Sequence, residues 1–247
     1  EAIKFGHGPT LKFMGGGGSD KSRAAFTARV LVVTETDGLD TSGGTSREAD
    51  KLKQLAARTA AFGDRAVHYL ECTLSTESGR TWQEYKAGTA SRIATPCPHC
   101  KKHVTLERED FVGWEEAPHV IAAGESAAFA CNRCGEIWTD ADRRAANLAA
   151  RLVHEGQSID DDGALVGEPK PTDTLGFRWS AVNNLFASSA ELGRGEWKSR
   201  REKDRANAEK ERRQFVWALP LASTVETLIS LDRQLLPHRM LDYPRGI

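Results

Sequence analysis

The sequence predicts an α/β fold: part of a mostly parallel sheet, then a cysteine-bearing insertion, then a helical C-terminal segment. Three observations predict it. The run Val30–Val33 is short, continuously apolar and mostly β-branched, and 66–74 (AVHYLECTL) has the character of a second buried strand. Between them, 47–62 carries apolar residues at helical spacing. Unbroken apolar runs of this length are typical of strands covered on both faces of a parallel sheet, and the strand–helix–strand order predicts a right-handed crossover.

The remaining elements follow from local composition and spacing. Before the insertion we predict a strand at 9–14, buried strands at 30–33 and 66–74, and helices at 47–62 and 80–87. After it we predict a helix at 140–155, a loop at 156–174 and a long charged helix at 189–216. The predicted domains are therefore 1–94, 95–139 and 140–247.

Composition limits the classes of function. The 247 residues are 39% apolar with a formal charge of −1, so nucleic-acid binding would need a local basic patch. The segment 194–213 carries nine basic and five acidic residues, a local charge of +4. It is either a solvated helix face or a surface that touches a phosphate backbone. No apolar run approaches the roughly 20 residues of a membrane span, so no membrane contact is predicted.

Two matched cysteine pairs predict a metal centre. Cys97 and Cys100 form one C-x-x-C pair, Cys131 and Cys134 form the other, and thirty residues separate the two pairs. One tight turn can present both sulfurs of such a pair to a tetrahedral zinc ion. A redox dithiol would not explain two matched pairs. Because four thiolates leave no position for water, the predicted zinc ion is structural and holds a ribbon at 95–139.

Polar groups follow both predicted buried strands. Glu35 and Asp37 follow the first, where carboxylates of nucleotide hydrolases activate water and hold Mg²⁺. Ser75 and Thr76 follow the second and could bind a phosphate. Alternatively, Glu35 and Asp37 are acids of an ordinary solvent-exposed loop. The hydroxyls of Ser75 and Thr76 could likewise only cap a turn. No G-x-x-x-x-G-K-[ST] phosphate loop occurs in these 247 residues.

Five segments in this order resemble the large terminase subunit of tailed phages, in its GpA-like branch. They are ARVLVVTETD, YLECTLSTESG, SRIATPCPHC, CNRCGEIW and LGFRWSAVNNLFASSAEL. The resemblance implies a P-loop-type (ASCE) ATPase sheet with an inserted zinc ribbon, acting in a motor that packages DNA into procapsids. It also implies ATP and Mg²⁺ as cofactors and an endonuclease domain that cuts the DNA.

The resemblance assigns roles to individual residues. Glu35 matches the catalytic glutamate and Asp37 the second acid, while Ser75 and Thr76 match the motif that couples hydrolysis to movement. The ribbon and the later Gly-Phe element are matched by Cys97, Cys100, Cys131, Cys134, Gly176 and Phe177.

Two positions depart from the family pattern. Thr34 stands where the family has a Mg²⁺-holding Asp, and Glu77 replaces a Pro. A neutral hydroxyl binds Mg²⁺ less strongly than a carboxylate, which implies a weak or degenerate ATPase. We expect the phosphate loop upstream of Glu1 and the nuclease downstream of Ile247, so the chain resembles the central slice of a terminase and is expected to be inactive alone.

The sequence therefore predicts part of an ATP-driven DNA-packaging motor in the cytoplasm of a phage-infected bacterium. The partners implied by the resemblance are double-stranded DNA, the small terminase subunit, the portal and further copies of the chain in a ring. One alternative is a non-hydrolytic zinc-ribbon module that binds DNA or protein. The other is a structural subunit of the phage particle.

Overall fold

A computed structural model of the chain describes residues 2–15, 26–39 and 50–222. Its contacts divide the chain between Thr73 and Leu74 into two compact units. We call residues 1–73 unit one and residues 74–247 unit two, and describe each by itself.

Unit one contains a parallel pair of strands joined through a helical segment. Its elements are β1 (Ala2–Lys4), β2 (Thr10–Lys12), β3 (Val30–Val33), a 3₁₀ turn (Thr36–Leu39), α1 (Lys51–Ala56), a 3₁₀ segment (Ala57–Arg65) and β4 (Val67–Leu70). β1 and β2 pair as an antiparallel hairpin. β3 and β4 are parallel, with Val30 opposite Val67. The predicted strand–helix–strand order is thus present, and the pair is parallel as expected.

The parallel pair is covered on one face. Leu31 and Val33 are buried against Leu52 and Leu55 of α1. On the other face, Val32 is 61% exposed and its β4 neighbours are exposed with it. The prediction that both strands are buried on both faces is therefore wrong. Among the described residues of unit one, Met14, Phe26 and Leu39 pack on the same cluster as α1, so the apolar contacts lie on the face of Leu31 and Val33.

Unit two is built from small antiparallel sheets and short helices. Its strands are β5 (Arg92–Pro96), β6 (His103–Val104), β7 (Phe111–Val112), β8 (Ala128–Ala130), β9 (Ile137–Trp138), β10 (Arg151–Val153), β11 (Ser158–Ile159) and β12 (Leu165–Val166). Its helices are α2 (Arg80–Ala87), α3 (Val120–Ser126), α4 (Asp140–Leu148), α5 (Ser189–Ser199) and α6 (Arg205–Glu211), with a 3₁₀ turn (Arg108–Asp110) and a π-helical turn (Arg212–Val216). The sheets have the orders β10–β5–β6, β7–β8–β9 and β11–β12.

The core of unit two surrounds aromatic side chains. The rings of Phe111 and Phe129 lie 4.8 Å apart, and Trp217 packs 5.7 Å from Phe111. Cys97 and Cys131 are buried in the same cluster. The ribbon strands and residues near the end of the described chain therefore share one core.

Two predicted helices are shorter than expected. α4 ends at Leu148, and Arg151–Val153 forms a strand on β5 because its backbone groups find partners there. The predicted helix at 140–155 is thus wrong beyond Leu148, whose side chain is 81% exposed. The predicted helix at 189–216 is interrupted after Ser199. A new helix begins when the Asp204 side chain accepts from the Asn207 N–H.

The Gly-Phe element fits against the start of β5. The Gly176 carbonyl accepts from Ser91 N–H at 2.8 Å, and the Gly176 N–H donates to Thr89 Oγ1 at 3.0 Å. A Cβ at Gly176 would lie 3.0 Å from the Tyr85 carbonyl oxygen. This close approach requires glycine and joins the 175–192 segment to α2 and β5.

Candidate functional site

The four predicted metal ligands lie together in unit two. The sulfurs of Cys97, Cys100, Cys131 and Cys134 are all within 4.8 Å of one another. Cys97 Sγ is 3.8 Å from Cys134 Sγ, and Cys100 Sγ is 4.0 Å from Cys131 Sγ. None of the four forms a disulfide. The sequence reasoning therefore identified a real cluster that joins two distant parts of the chain.

Each pair sits in the same backbone turn. In the first knuckle, 97–102, the Lys101 N–H donates to the Cys97 carbonyl at 3.0 Å. In the second knuckle, 131–136, the Gly135 N–H donates to the Cys131 carbonyl at 2.8 Å. Lys101 has φ +63° and Gly135 has φ +78°, so both turns need a left-handed residue directly after the second cysteine. The two knuckles are built alike around the sulfurs.

The cluster fits a zinc ion. Four thiolates at about 2.3 Å from a tetrahedral centre stand roughly 3.8 Å apart. The sulfur–sulfur distances of 3.8 and 4.0 Å match that spacing and are far longer than a disulfide bond. An all-sulfur donor set is also the one that zinc prefers in structural sites.

The pKa values of the two buried cysteines, Cys97 and Cys131, are shifted in opposite directions. Burial opposes ionisation of Cys97, but the N–H groups of Cys100 and His99 outweigh it and lower its pKa to about 7. Burial raises the pKa of Cys131 to about 12. A metal ion must displace the proton from Cys131 to bind there, so metal binding and proton release are linked.

The candidate hydrolytic residues of unit one follow β3. Glu35 is exposed and has φ +53°, a conformation uncommon for residues other than glycine. Thr34 is exposed and Asp37 is half-buried. The carboxylate of Glu35 therefore points away from the core of unit one at the carboxyl end of a parallel strand, where ligands bind in open α/β sheets.

A buried threonine fixes this turn. The N–H of Thr36 donates to the Glu71 carbonyl at 3.2 Å, and its hydroxyl donates to the same oxygen at 3.1 Å. The Glu71 N–H in turn donates to the Val33 carbonyl at 3.0 Å. Cys72 Sγ lies 3.6 Å from Glu35 Oε2. Sequence reasoning missed the roles of Thr36 and Cys72, because both depend on how β3 and β4 pair.

Ser75 and Thr76 belong to unit two, and both are half-buried. The Thr76 hydroxyl is 3.0 Å from the Ser78 hydroxyl. The Ser75 carbonyl accepts from Gln214 Nε2 at 2.9 Å and from the Leu221 N–H at 3.1 Å. That the hydroxyls of Ser75 and Thr76 bind a phosphate stays a prediction.

Unit two also contains a buried acid, Glu196, that the sequence did not single out. Glu196 is 1% exposed and accepts from Arg212 Nε at 2.7 Å, Trp217 Nε1 at 2.8 Å and Arg108 Nη2 at 2.7 Å. Burial opposes ionisation of Glu196, but Arg212, the Trp217 N–H and Arg108 together lower its pKa. Glu196 is one of many charged residues in 194–213, so the sequence gives no signal that it is the buried one.

Residues 4–152 match the family model for the phage terminase large subunit gpA, ATPase domain. The chain belongs to this family. All eight candidate residues lie inside the matched range, in agreement with the family resemblance that the sequence showed. No curated protein and no solved structure matches the chain.

Membership in the terminase family indicates the general role of the chain. The ATPase domain of the large subunit has a role in DNA packaging and implies the use of ATP and Mg²⁺. Terminases of this family act inside the infected host cell, generally bind DNA and the portal, and form oligomers. Within the described ranges, no helix is long and apolar enough to span a membrane.

Proposed function

We propose that this terminase chain supplies the water-activating edge and the metal-bearing ribbon of an ATP-driven DNA-packaging motor. The observation that carries the proposal is the family match to an ATPase domain across 4–152. The exposed carboxylate of Glu35 directly after a parallel strand supports it.

Glu35 is the proposed residue that orients the attacking water. The water oxygen bonds to the γ-phosphorus while the bond to the β–γ bridging oxygen breaks, and ADP leaves. The Glu35 carboxylate accepts a proton of that water. Asp37 lies two residues away and supports the site from a half-buried position. The left-handed backbone at Glu35, fixed by Thr36, is the kind of local strain that persists at functional sites.

Thr34 is the proposed Mg²⁺-side residue of this edge. Its exposed hydroxyl offers an oxygen, the donor that Mg²⁺ prefers, but carries no charge. Mg²⁺, when bound with ATP, neutralises charge on the phosphate oxygens. A neutral ligand holds the ion less tightly than the carboxylate it replaces, so we infer a modest rate of hydrolysis.

The remaining roles are also proposals. Ser75 and Thr76 sense the γ-phosphate and pass its loss to the rest of unit two. The four cysteines hold a structural zinc ion, which stabilises strands too short to form a core alone. The proposed partners are duplex DNA, the small terminase subunit, the portal and other copies in a ring, and the endonuclease belongs to a further domain.

The full-length protein with Glu35→Gln tests the hydrolytic role. We expect ATP turnover to fall by at least about a hundredfold, because the amide cannot accept the proton of the attacking water. Nucleotide affinity should stay within about twofold, since the substitution keeps size and leaves phosphate binding alone. Steady-state phosphate release and equilibrium nucleotide binding measure the two quantities.

Glu71→Gln is the matched control, because Glu71 is also an exposed acid at the end of a strand of the same pair. It should keep wild-type turnover. Equal turnover in wild type and Glu35→Gln would defeat the proposed role of Glu35.

A second candidate is a zinc-ribbon module that binds DNA or protein without hydrolysis. The neutral Thr34 in place of a metal-binding acid is the observation that favours it. Full-length protein that hydrolyses no ATP with Mg²⁺, yet binds duplex DNA with a steep salt dependence, would establish this alternative.

A further inference from the structure

The segment that carries Ser75 and Thr76 is paired with residues far along the chain. The Glu77 N–H donates to the Leu221 carbonyl at 2.8 Å, and the Leu221 N–H donates to the Ser75 carbonyl at 3.1 Å. Thr76 and Leu221 face each other in a parallel bridge. The segment is therefore not a free strand end but one side of a short two-stranded contact.

One side chain strengthens this contact. Gln214 Nε2 donates to the Ser75 carbonyl at 2.9 Å, so that oxygen accepts from a side chain and from a backbone N–H. Both Gln214 and Ser75 are half-buried. A carbonyl held by two donors fixes the backbone that orients the hydroxyls of Ser75 and Thr76.

Gln214 is itself held by the ribbon. It lies in the π-helical turn Arg212–Val216, and Trp217 follows directly. Trp217 is 1% exposed, and its ring lies 5.7 Å from Phe111 and 6.2 Å from Phe129, which belong to ribbon strands. π-helical turns are uncommon and concentrate at functional sites.

Buried charges fix the other end of the same turn. Arg212 Nε donates to Glu196 at 2.7 Å, and Glu196 also accepts from Arg108 of the ribbon at 2.7 Å. The Trp217 N–H donates to Glu196 at 2.8 Å. The turn is thus bound to the ribbon on both sides of Gln214, while Gln214 points to Ser75.

We propose that Gln214 is a positioning residue that holds the phosphate-sensing segment 75–77 in register with the zinc ribbon. The proposal rests on the proposed function of Ser75 and Thr76. Gln214 touches no substrate; it acts by fixing the Ser75 backbone. Displacement of segment 75–77 when phosphate leaves is then passed through Gln214 and Trp217 to the ribbon.

Two variants of the full-length protein test the proposal. Gln214→Glu replaces the donor amide by a carboxylate oxygen, which repels the Ser75 carbonyl. Asn147→Asp is the matched control, because half-buried Asn147 also donates to backbone carbonyls, those of Arg143 and Val182. Each exchange turns one amide donor into a carboxylate in the same unit.

We expect Gln214→Glu to lower kcat for ATP about tenfold with KM within about twofold, and Asn147→Asp to leave both constants unchanged. The proposal would be overturned if kcat fell equally in both variants. It would also be overturned if the loss of kcat in Gln214→Glu only matched the loss of folded protein in that variant. Thermal unfolding of both variants gives that fraction.

Hydrogen exchange separates this inference from the proposed function. The amides of Glu77 and Leu221 should exchange about tenfold faster in Gln214→Glu than in Asn147→Asp. If wild-type protein hydrolyses no ATP, the proposed function fails, and equal exchange in the two variants would then overturn the positioning role as well. If wild type is active but the variants match in exchange and kcat, the positioning role alone is lost.

Discussion

The metal centre and the edge of the parallel pair are built in opposite ways. At the metal centre, Cys97 and Cys131 are buried and their sulfurs face one another. At the edge, Glu35 is exposed. The turn is held by hydrogen bonds from Thr36 to the Glu71 carbonyl, and not by the Glu35 carboxylate. The buried sulfurs can contribute to folding, whereas the exposed acid can reach solvent, which agrees with the roles proposed for the two groups.

Loss of one metal ligand should have the largest effect on stability. We expect Cys131→Ser to lower the free energy of unfolding by more than about 4 kcal/mol, because zinc binding contributes directly to folding. Bound zinc per chain should fall from one ion to none. Urea unfolding and elemental analysis of the purified full-length protein measure the two changes.

Cys72→Ser is the control for this substitution, since Cys72 is a cysteine outside the cluster. It should keep one zinc ion. Glu35→Gln should change the free energy of unfolding by less than about 0.5 kcal/mol, as expected for an exposed side chain. A large loss of stability in Glu35→Gln would remove the distinction between the two regions.

Neutralising the buried acid Glu196 should have the next largest effect. We expect Glu196→Gln to cost about 3 kcal/mol, because Arg108 and Arg212 lose the charge that compensates their burial. Denaturant unfolding at neutral pH measures it. A cost below about 1 kcal/mol would show that the network contributes little.

The same acid predicts a pH dependence. The folded-state pKa of Glu196 is lowered from 4.5, so its stabilising contribution is complete above that value. It is lost as pH falls below 4.5 and through the folded-state pKa. The wild-type free energy of unfolding should therefore decline more steeply over this acid range than that of Glu196→Gln.

The two knuckles allow the smallest and most local test. Gly135→Ala should cost about 1 kcal/mol, because its φ of +78° is unfavourable for alanine although no atom lies within 4 Å of the added Cβ. Lys101→Gly relieves the same backbone strain at φ +63° in the first knuckle. Glycine also gives the unfolded chain more conformational freedom, which offsets that gain, so the free energy of unfolding should change by no more than about 0.5 kcal/mol. Urea unfolding of both variants compares the knuckles, and an equal loss in the two would contradict the role of the left-handed turn.

The parts of the molecule that could be predicted are those encoded by short spacings. The cysteine pairs, helix α2 and the order β3–α1–β4 each follow from residues close in sequence. The end of α4 could not be predicted, because Arg151–Val153 is a strand only through its pairing with β5. A local apolar pattern is compatible with either structure.

The candidate site shows the same limit. Glu35 was predicted from the strand that precedes it, but the neighbouring Cys72 follows from the pairing of β3 with β4. Glu196 and Gln214 have partners up to 139 positions away, and no local signal marks them. The clustering of the four cysteines could be predicted from their spacing, whereas the long-range contacts of Glu196 and Gln214 could not.

The bridge between Thr76 and Leu221 has a consequence for the order of synthesis. The first residues of unit two pair with residues that leave the ribosome more than a hundred positions later. The strand edge at 75–77 stays uncovered until then, although all four cysteines of the cluster have already been synthesised. Contacts of such long sequence separation form slowly, so the nascent chain exposes an unpaired strand edge while the residues between Thr76 and Leu221 are synthesised.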